Sequence, residues 1–193
     1  MKINKKAVVP IGVAIIVAIV LASALGSPGQ ETPTPEPDLI ASFVNEWNAL
    51  AEDSPADLNL NIAVSRLRLV ADGDRATTYE FRFWDGASRG EYHKISLSLA
   101  KEGNPHRKAG TLSASVESNR APDTERLMAS WGLLIATMLP GGTLADASDI
   151  LRELGVIGPD VNLENIWRET TREGFRFGFE GFQSFFLMYG YEL

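Results

Sequence analysis

The stretch TYEFRF, residues 78–83, decides how the middle of this chain folds, because aromatic and polar side chains alternate along it. In an extended chain Tyr79, Phe81 and Phe83 point to one side, and the polar residues between them point to the other. This two-residue period is typical of a β-strand with one face in a protein core and one face in water. The stretch therefore predicts an antiparallel sheet that is buried on one side.

Three nearby segments, 58–64, 95–99 and 112–116, have the same period, so we expect four consecutive strands in an antiparallel meander. In the first segment the alternation slips, because the apolar positions are even up to Val64 and odd at Leu67 and Leu69. One extra residue near Ser65-Arg66 restores the pattern. We therefore expect a β-bulge there, with Leu67 facing Tyr79.

Apolar stripes with the helical period of about 3.6 residues flank these strands. Residues 38–53 carry one stripe, and a wider one runs from Pro122 to Pro140. A third helix is expected to begin at Thr143, because Thr143 and Asp146 fit a capping box, and to end at Gly155. The chain thus predicts one helix before the meander and two after it.

Two further predicted strands complete the fold. One has Phe175, Phe177 and Phe179 on its apolar face, and the other has Phe185, Leu187, Tyr189 and Tyr191. The element order is then α-ββββ-αα-ββ. Because one-sided strands need a cover, we expect an α+β fold of the two-layer sandwich type, with an antiparallel sheet covered by helices on one face.

The first 37 residues precede this domain. Residues 1–6 hold three lysines, and Ala7 to Leu25 form an uncharged, mostly apolar run, which predicts one transmembrane helix with a cytoplasmic N-terminus. The run exceeds the roughly 7 to 15 apolar residues of a usual signal peptide, so we favour a retained single-pass anchor. The small residues Ala22-Ser23-Ala24 leave cleavage and secretion as the alternative. Residues 26–37 are proline-rich and predict a stalk, and 38–193 form the extracytoplasmic domain.

The charge of the exported part excludes one class of partner. Three of the 18 basic side chains precede Gln30, which leaves 15 basic against 25 acidic side chains beyond it. Nucleic acid requires a basic surface, so we expect no nucleic-acid partner. Cysteine is absent, so the domain must be stable without disulfides.

The segment GASRG, residues 86–90, fits the G-x-S-x-G pattern of serine hydrolases. In those enzymes the serine lies between a strand and a helix, and the acid and the histidine follow it in the chain. Here a strand is predicted on each side, and the neighbouring Asp85 precedes Ser88. We therefore interpret the segment as a hairpin loop. A small envelope hydrolase that uses Ser88 or carboxylates remains the alternative hypothesis.

The chain offers little that would hold a metal ion or a cofactor. His93 and His106 are its two histidines, and no zinc-binding spacing occurs around them. Asp72-Gly73-Asp74 begins like a calcium loop but lacks the later ligands, so we expect a hairpin turn there. We predict no metal site, no cofactor and no catalytic residue.

Aromatic residues near predicted loops provide the remaining candidates. Trp84, Tyr92, Trp167 and Tyr191 are not accounted for by the core, and such side chains are enriched at protein interfaces. We therefore expect a membrane-tethered, non-enzymatic interaction or sensor module of the cell envelope. Its expected contacts are the membrane, through Ala7 to Leu25, and a protein partner, through these four aromatic side chains.

Overall fold

A computed structural model describes residues 38–53, 62–85, 92–119, 124–159, 161, 163, 165–182 and 185–193, with the backbone alone at positions 84, 85, 92 and 124. The predicted anchor, the stalk and the G-x-S-x-G segment lie outside these residues. Within the part of the chain that the structure describes, the helices are all too short or too polar to cross a bilayer.

Three α-helices and seven β-strands make up the described chain. The helices are α1 (Leu39–Glu52), α2 (Thr124–Met138) and α3 (Leu144–Glu153). The strands are β1 (Arg68–Asp72), β2 (Ala76–Asp85), β3 (Tyr92–Ala100), β4 (Leu112–Asn119), β5 (Ile166–Arg172), β6 (Phe175–Phe182) and β7 (Phe185–Glu192). They form one sheet in the order β1-β2-β3-β4-β7-β6-β5, and every neighbouring pair is antiparallel. The predicted α+β class, antiparallel sheet and four-strand meander are therefore confirmed.

The predicted order α-ββββ-αα-ββ is wrong by one strand, because the chain forms a further strand, β5, before the last two. It pairs with β6 along its whole length, from Ile166 opposite Gly181 to Arg172 opposite Phe175. β5 is an edge strand, and most of its side chains are exposed. Since alternation in a sequence reports one-sided burial, a strand with little burial on either face gives no such signal.

The first strand also begins later than predicted. Trp47 Nε1 on α1 donates to the Ile62 carbonyl oxygen at 2.8 Å. The Asn48 side-chain amide donates to the Val64 carbonyl at 2.9 Å and accepts from the Val64 backbone N–H at 2.7 Å. These bonds take the place of ladder bonds, so this segment lies beside α1 as irregular chain.

The predicted bulge and register of this strand are therefore wrong. Leu69, and not Leu67, lies opposite Tyr79, and the irregularity in the register falls between Leu69 and Ala71 rather than at Ser65-Arg66. The turn that follows closes with a bond of 3.0 Å from the Gly73 N–H to the Ala76 carbonyl, which confirms the predicted hairpin turn.

One core cluster joins the three helices to one face of the sheet, which we call the inner face. Its fully buried side chains include Trp47 of α1, Trp131 of α2, Ile150 of α3, Ile95 of β3 and Phe177 of β6. The opposite face, which we call the outer face, carries the alternate residues of each strand.

The residues at the two ends of α3 confirm its predicted boundaries. Thr143 and Asp146 form a capping box, with bonds of 3.0 Å from the Thr143 N–H to Asp146 Oδ2 and 3.2 Å from the Asp146 N–H to Thr143 Oγ1. At the other end Gly155 has φ +66°, and the Val156 N–H donates to the Leu151 carbonyl at 2.8 Å.

Candidate interaction surface

The four predicted contact residues lie in two separate places on the sheet. Trp84 and Tyr92 are in β2 and β3, where Trp84 lies opposite His93 and Tyr92 opposite Asp85, and their side chains are outside the described set. Trp167 is on β5 and Tyr191 is on β7, and both belong to the outer face. The structure therefore places two of the four on one surface and leaves the side chains of the other two untested.

The side chains of β7 point the opposite way from the prediction. Met188 and Gly190 are buried and Phe186 packs against the core, so the even-numbered residues form the inner face. Phe185, Leu187 and Tyr189, which the alternation placed on the buried face, lie on the outer face instead, together with the predicted contact residue Tyr191. β7 is thus apolar or aromatic on both faces, and the sequence pattern alone does not tell the two faces apart.

These outer residues join two neighbours to form a continuous aromatic surface. On β6 Phe182 lies opposite Phe185, and it is 58% exposed. On β5 Trp167 is 66% exposed. We define the outer stripe as these six residues, namely Phe182, Phe185, Leu187, Tyr189, Tyr191 and Trp167. Four of them, Phe182, Phe185, Leu187 and Tyr189, were missed as contact residues, and the one signal for them was a strand with two apolar faces.

The backbone register extends one end of the outer stripe towards the predicted pair on β2 and β3. Tyr92 lies opposite Asn119, and Asn119 lies opposite Phe185. Tyr191 is six residues further along β7, at the other end of the stripe. The predicted residues therefore share one sheet without forming a single cluster.

Tyr189 connects β7 to the edge strand β5. Its ring crosses over Gly178 of β6, where an added Cβ would lie 2.2 Å from Cζ of the ring, so only glycine leaves room for it. The Tyr189 hydroxyl donates to Glu169 Oε1 at 2.7 Å and accepts from Trp167 Nε1 at 3.3 Å. These bonds hold the exposed Trp167 side chain at one end and leave most of its surface open to solvent.

Electrostatics keep the Tyr189 hydroxyl protonated. Partial burial of the phenol, followed by its hydrogen bond to the Glu169 carboxylate, raises the pKa of Tyr189 to about 12. A protonated phenol can donate to a carboxylate, whereas a phenolate cannot. The link between β7 and β5 therefore persists through the neutral pH range.

Arg176 of β6 balances the Glu169 carboxylate. Its guanidinium lies 3.8 Å from Glu169 Oε2 and 5.9 Å from the centre of the Tyr191 ring. The Tyr189 and Tyr191 rings are stacked, with centres 6.4 Å apart and planes 12° from parallel. Arg176 therefore contacts both Glu169 and the Tyr191 ring, and Tyr191 stacks on Tyr189, so these side chains form one connected cluster in the outer stripe.

The described groups with acid or base chemistry do not gather into a catalytic arrangement. His93 is buried, and its Nε2 lies 2.9 Å from Ser130 Oγ, which in turn donates to the Arg126 carbonyl at 2.8 Å. Ser130 is itself fully buried, so this pair lies in the core between β3 and α2, where a substrate has no access. Among the described residues, no three His, Asp or Glu side chains lie close enough together to hold a metal ion.

A crevice of about 560 Å³ opens between the end of α3 and β5. Ile157, Val161 and Ile166 form its apolar wall, and Arg152 and Arg168 are the charged groups that line it. The described lining holds no carboxylate and no histidine, and Arg152 is engaged in an ion pair of 2.6 Å with Asp149, so the lining supplies no general acid and base pair. The crevice therefore adds no support for the hydrolase hypothesis.

Fold and surface together define an α+β domain whose antiparallel sheet has an aromatic outer stripe. Comparison of the chain with protein-family models, with curated protein sequences and with solved structures finds no match.

Proposed function

We propose that this protein is a membrane-tethered, extracytoplasmic interaction or sensor module that docks a protein partner on its outer stripe. The observation that carries the proposal is the composition of β7, which is apolar or aromatic on both faces. Strands with two apolar faces are typical of sheets that are covered on both sides. In the proposed two-layer arrangement the helices cover the inner face, and a partner covers the outer one.

The exposure of the outer stripe supports this function. Trp167 and Phe182 are more than half exposed, and no described segment of the chain covers them. Contiguous apolar patches of this kind mark interaction sites on soluble domains, and tryptophan and tyrosine dominate the binding energy of many interfaces. Because Tyr189 already holds Trp167 in place, a partner loses little side-chain entropy on binding it.

The proposed tether explains how a small binding surface can be sufficient to hold a partner. An anchor at Ala7 to Leu25 and a stalk at 26–37 would hold the domain close to other envelope proteins and so raise its effective concentration. Sequencing of the mature N-terminus tests this part separately. We expect Met1 or a residue next to it, whereas a start at Leu25 would identify a cleaved signal and a secreted domain.

Co-purification from native membranes tests the docking surface. Full-length tagged protein is cross-linked in cells and isolated, and the partners are quantified by mass spectrometry. Trp167→Ala and Phe182→Ser should each reduce recovery of the partner about fivefold or more, which corresponds to roughly 1 kcal/mol of binding energy.

Leu69→Ala provides the matched control, because Leu69 is 53% exposed and lies on the opposite edge strand β1. Its recovery should equal that of the wild type, and circular dichroism should be the same for all variants. Equal recovery from the Trp167, Phe182 and Leu69 variants would contradict the proposal.

A further inference from the structure

Trp167 and Glu180 form an exposed pair on the outer face. They lie directly opposite each other across β5 and β6, a position in which the Cβ atoms of two strands are about 4.5–5.5 Å apart. Trp167 is 66% exposed and Glu180 is also exposed. An aromatic ring beside a carboxylate attracts a cation in two ways, through the ring quadrupole and through the opposite charge.

The neighbouring charges leave Glu180 available. Glu169, the other acid on this side of β5 and β6, accepts from Tyr189 and lies 3.8 Å from Arg176. Arg176 in turn contacts the Tyr191 ring. Among the described residues Glu180 has neither an ion pair nor a hydrogen bond, so none of them compensates its charge.

We infer that Trp167 and Glu180 are the docking point for a lysine or arginine side chain of the partner protein, carried on a segment whose neighbouring apolar residues cover the outer stripe. This inference rests on the proposed function and adds the chemistry of the partner. The cation lies over the indole ring, its charge pairs with Glu180, and the flanking apolar side chains contact Phe182 and Leu187.

The charge of the whole exported part favours a basic partner over the alternatives. Beyond Gln30 it carries 15 basic and 25 acidic side chains, so basic segments are steered towards it and acidic ones are repelled. A second copy of this chain has the same excess of acid, and two copies would repel each other over the same range. A basic segment from a different protein is therefore the occupant that fits.

Peptides of defined charge test this inference on the full-length chain in nanodiscs of zwitterionic lipid. Three acetylated, amidated 12-residue peptides share the same leucines and differ at four positions, which are arginine, glutamine or glutamate. Surface plasmon resonance should show the arginine peptide binding about tenfold tighter than the glutamine peptide, and the glutamate peptide binding least.

Single variants locate the site. Glu180→Gln should weaken the arginine peptide about threefold and leave the glutamine peptide unchanged, because it removes one exposed ion pair. Trp167→Ala should weaken both peptides, since it removes the ring that both contact. Glu173→Gln is the matched control, because Glu173 is an exposed acid in the turn between β5 and β6, and it should bind all three peptides like the wild type.

Three results would overturn the inference. They are equal affinity for the arginine and glutamine peptides, an equal loss in Glu180→Gln and Glu173→Gln, and no binding of the arginine peptide. If the peptides show no preference for charge while Trp167→Ala still abolishes binding of the glutamine peptide, the outer stripe remains a docking surface and only the basic partner is refuted. The proposed function fails separately, when Trp167→Ala leaves co-purification unchanged.

Discussion

The two fully buried tryptophans should respond very differently to the same substitution. Trp47 and Trp131 each have 0% exposure and each contacts two aromatic rings. Their indole N–H groups differ, because Trp47 Nε1 donates to the buried Ile62 carbonyl at 2.8 Å, whereas Trp131 Nε1 has no hydrogen-bond partner among the described residues. Phenylalanine at either position removes the N–H and a similar volume.

The expected difference follows from these two bonding states. Trp47→Phe leaves the Ile62 carbonyl buried and unpaired, which costs about 1–3 kcal/mol in addition to the lost packing. Trp131→Phe removes a buried N–H that is already unpaired, so it offsets part of its packing loss by about 1–3 kcal/mol. We therefore expect Trp47→Phe to lower the free energy of unfolding by at least about 2 kcal/mol more than Trp131→Phe does.

Equilibrium unfolding in urea, followed by circular dichroism, measures both values on the full-length chain in detergent. The dependence on urea should be the same for the two variants, so that the midpoints compare directly. Losses that agree within about 0.5 kcal/mol, or a larger loss for Trp131→Phe, would refute the reasoning from hydrogen bonds.

Three further predictions follow from single contacts. Gly190→Ala should lower the stability measured in a thermal melt by about 1–3 kcal/mol, because the added Cβ would lie 2.8 Å from Met138 Sδ in the core. Gly178→Ala should destabilise the protein less, since the ring of Tyr189 can swing into solvent. Tyr189 has a pKa raised to about 12, so its contribution to the free energy of unfolding should be complete below about pH 10 and lost as the pH rises to 12. Urea titrations at increasing pH should show a loss of about 1 kcal/mol for the wild type, after allowance for solvent screening. Tyr189→Phe should not show this loss. Thr143→Ala should lower the free energy of unfolding by about 1 kcal/mol at neutral pH, because it removes the cap of α3. The bonds from Thr143 lower the pKa of Asp146, so the wild type should lose the contribution of this carboxylate only as the pH falls through the lowered value. Unchanged urea midpoints in the variant would contradict the capping role.

Residues with one-sided environments were predictable from the sequence. The alternation at 78–83 predicted β2, where Phe81 and Phe83 pack against the core and Arg82 between them is exposed. The stripe at 38–53 predicted α1, which buries Phe43 and Trp47 on one face. Thr143 and Gly155 marked the ends of α3, since capping depends on neighbours within a few residues. Where the local sequence pattern agrees with the burial of the side chains, the sequence is enough to predict the element.

Elements whose environment is the same on both sides were not predictable. β5 is exposed along most of its length, and Ile166–Arg172 shows no alternation that would predict a strand. β7 is apolar on both faces, so its alternation fits either register, and the choice of the even-numbered residues for the core was missed. The candidate surface depends on that choice, because it places Tyr189 and Leu187 outside.

The sequence by itself determined the α+β class, the helix ends, the four-strand meander and the acidic character of the chain beyond Gln30, because each depends on composition or on neighbours close in the chain. The tertiary structure decided the start of β1, the insertion of β7 between β4 and β6, and the link from Tyr189 over Gly178 to Glu169 and Trp167. These features depend on contacts between residues distant in the chain, such as the bonds from Asn48 to Val64, and the geometry of such contacts is set only when the whole sheet packs against its helices.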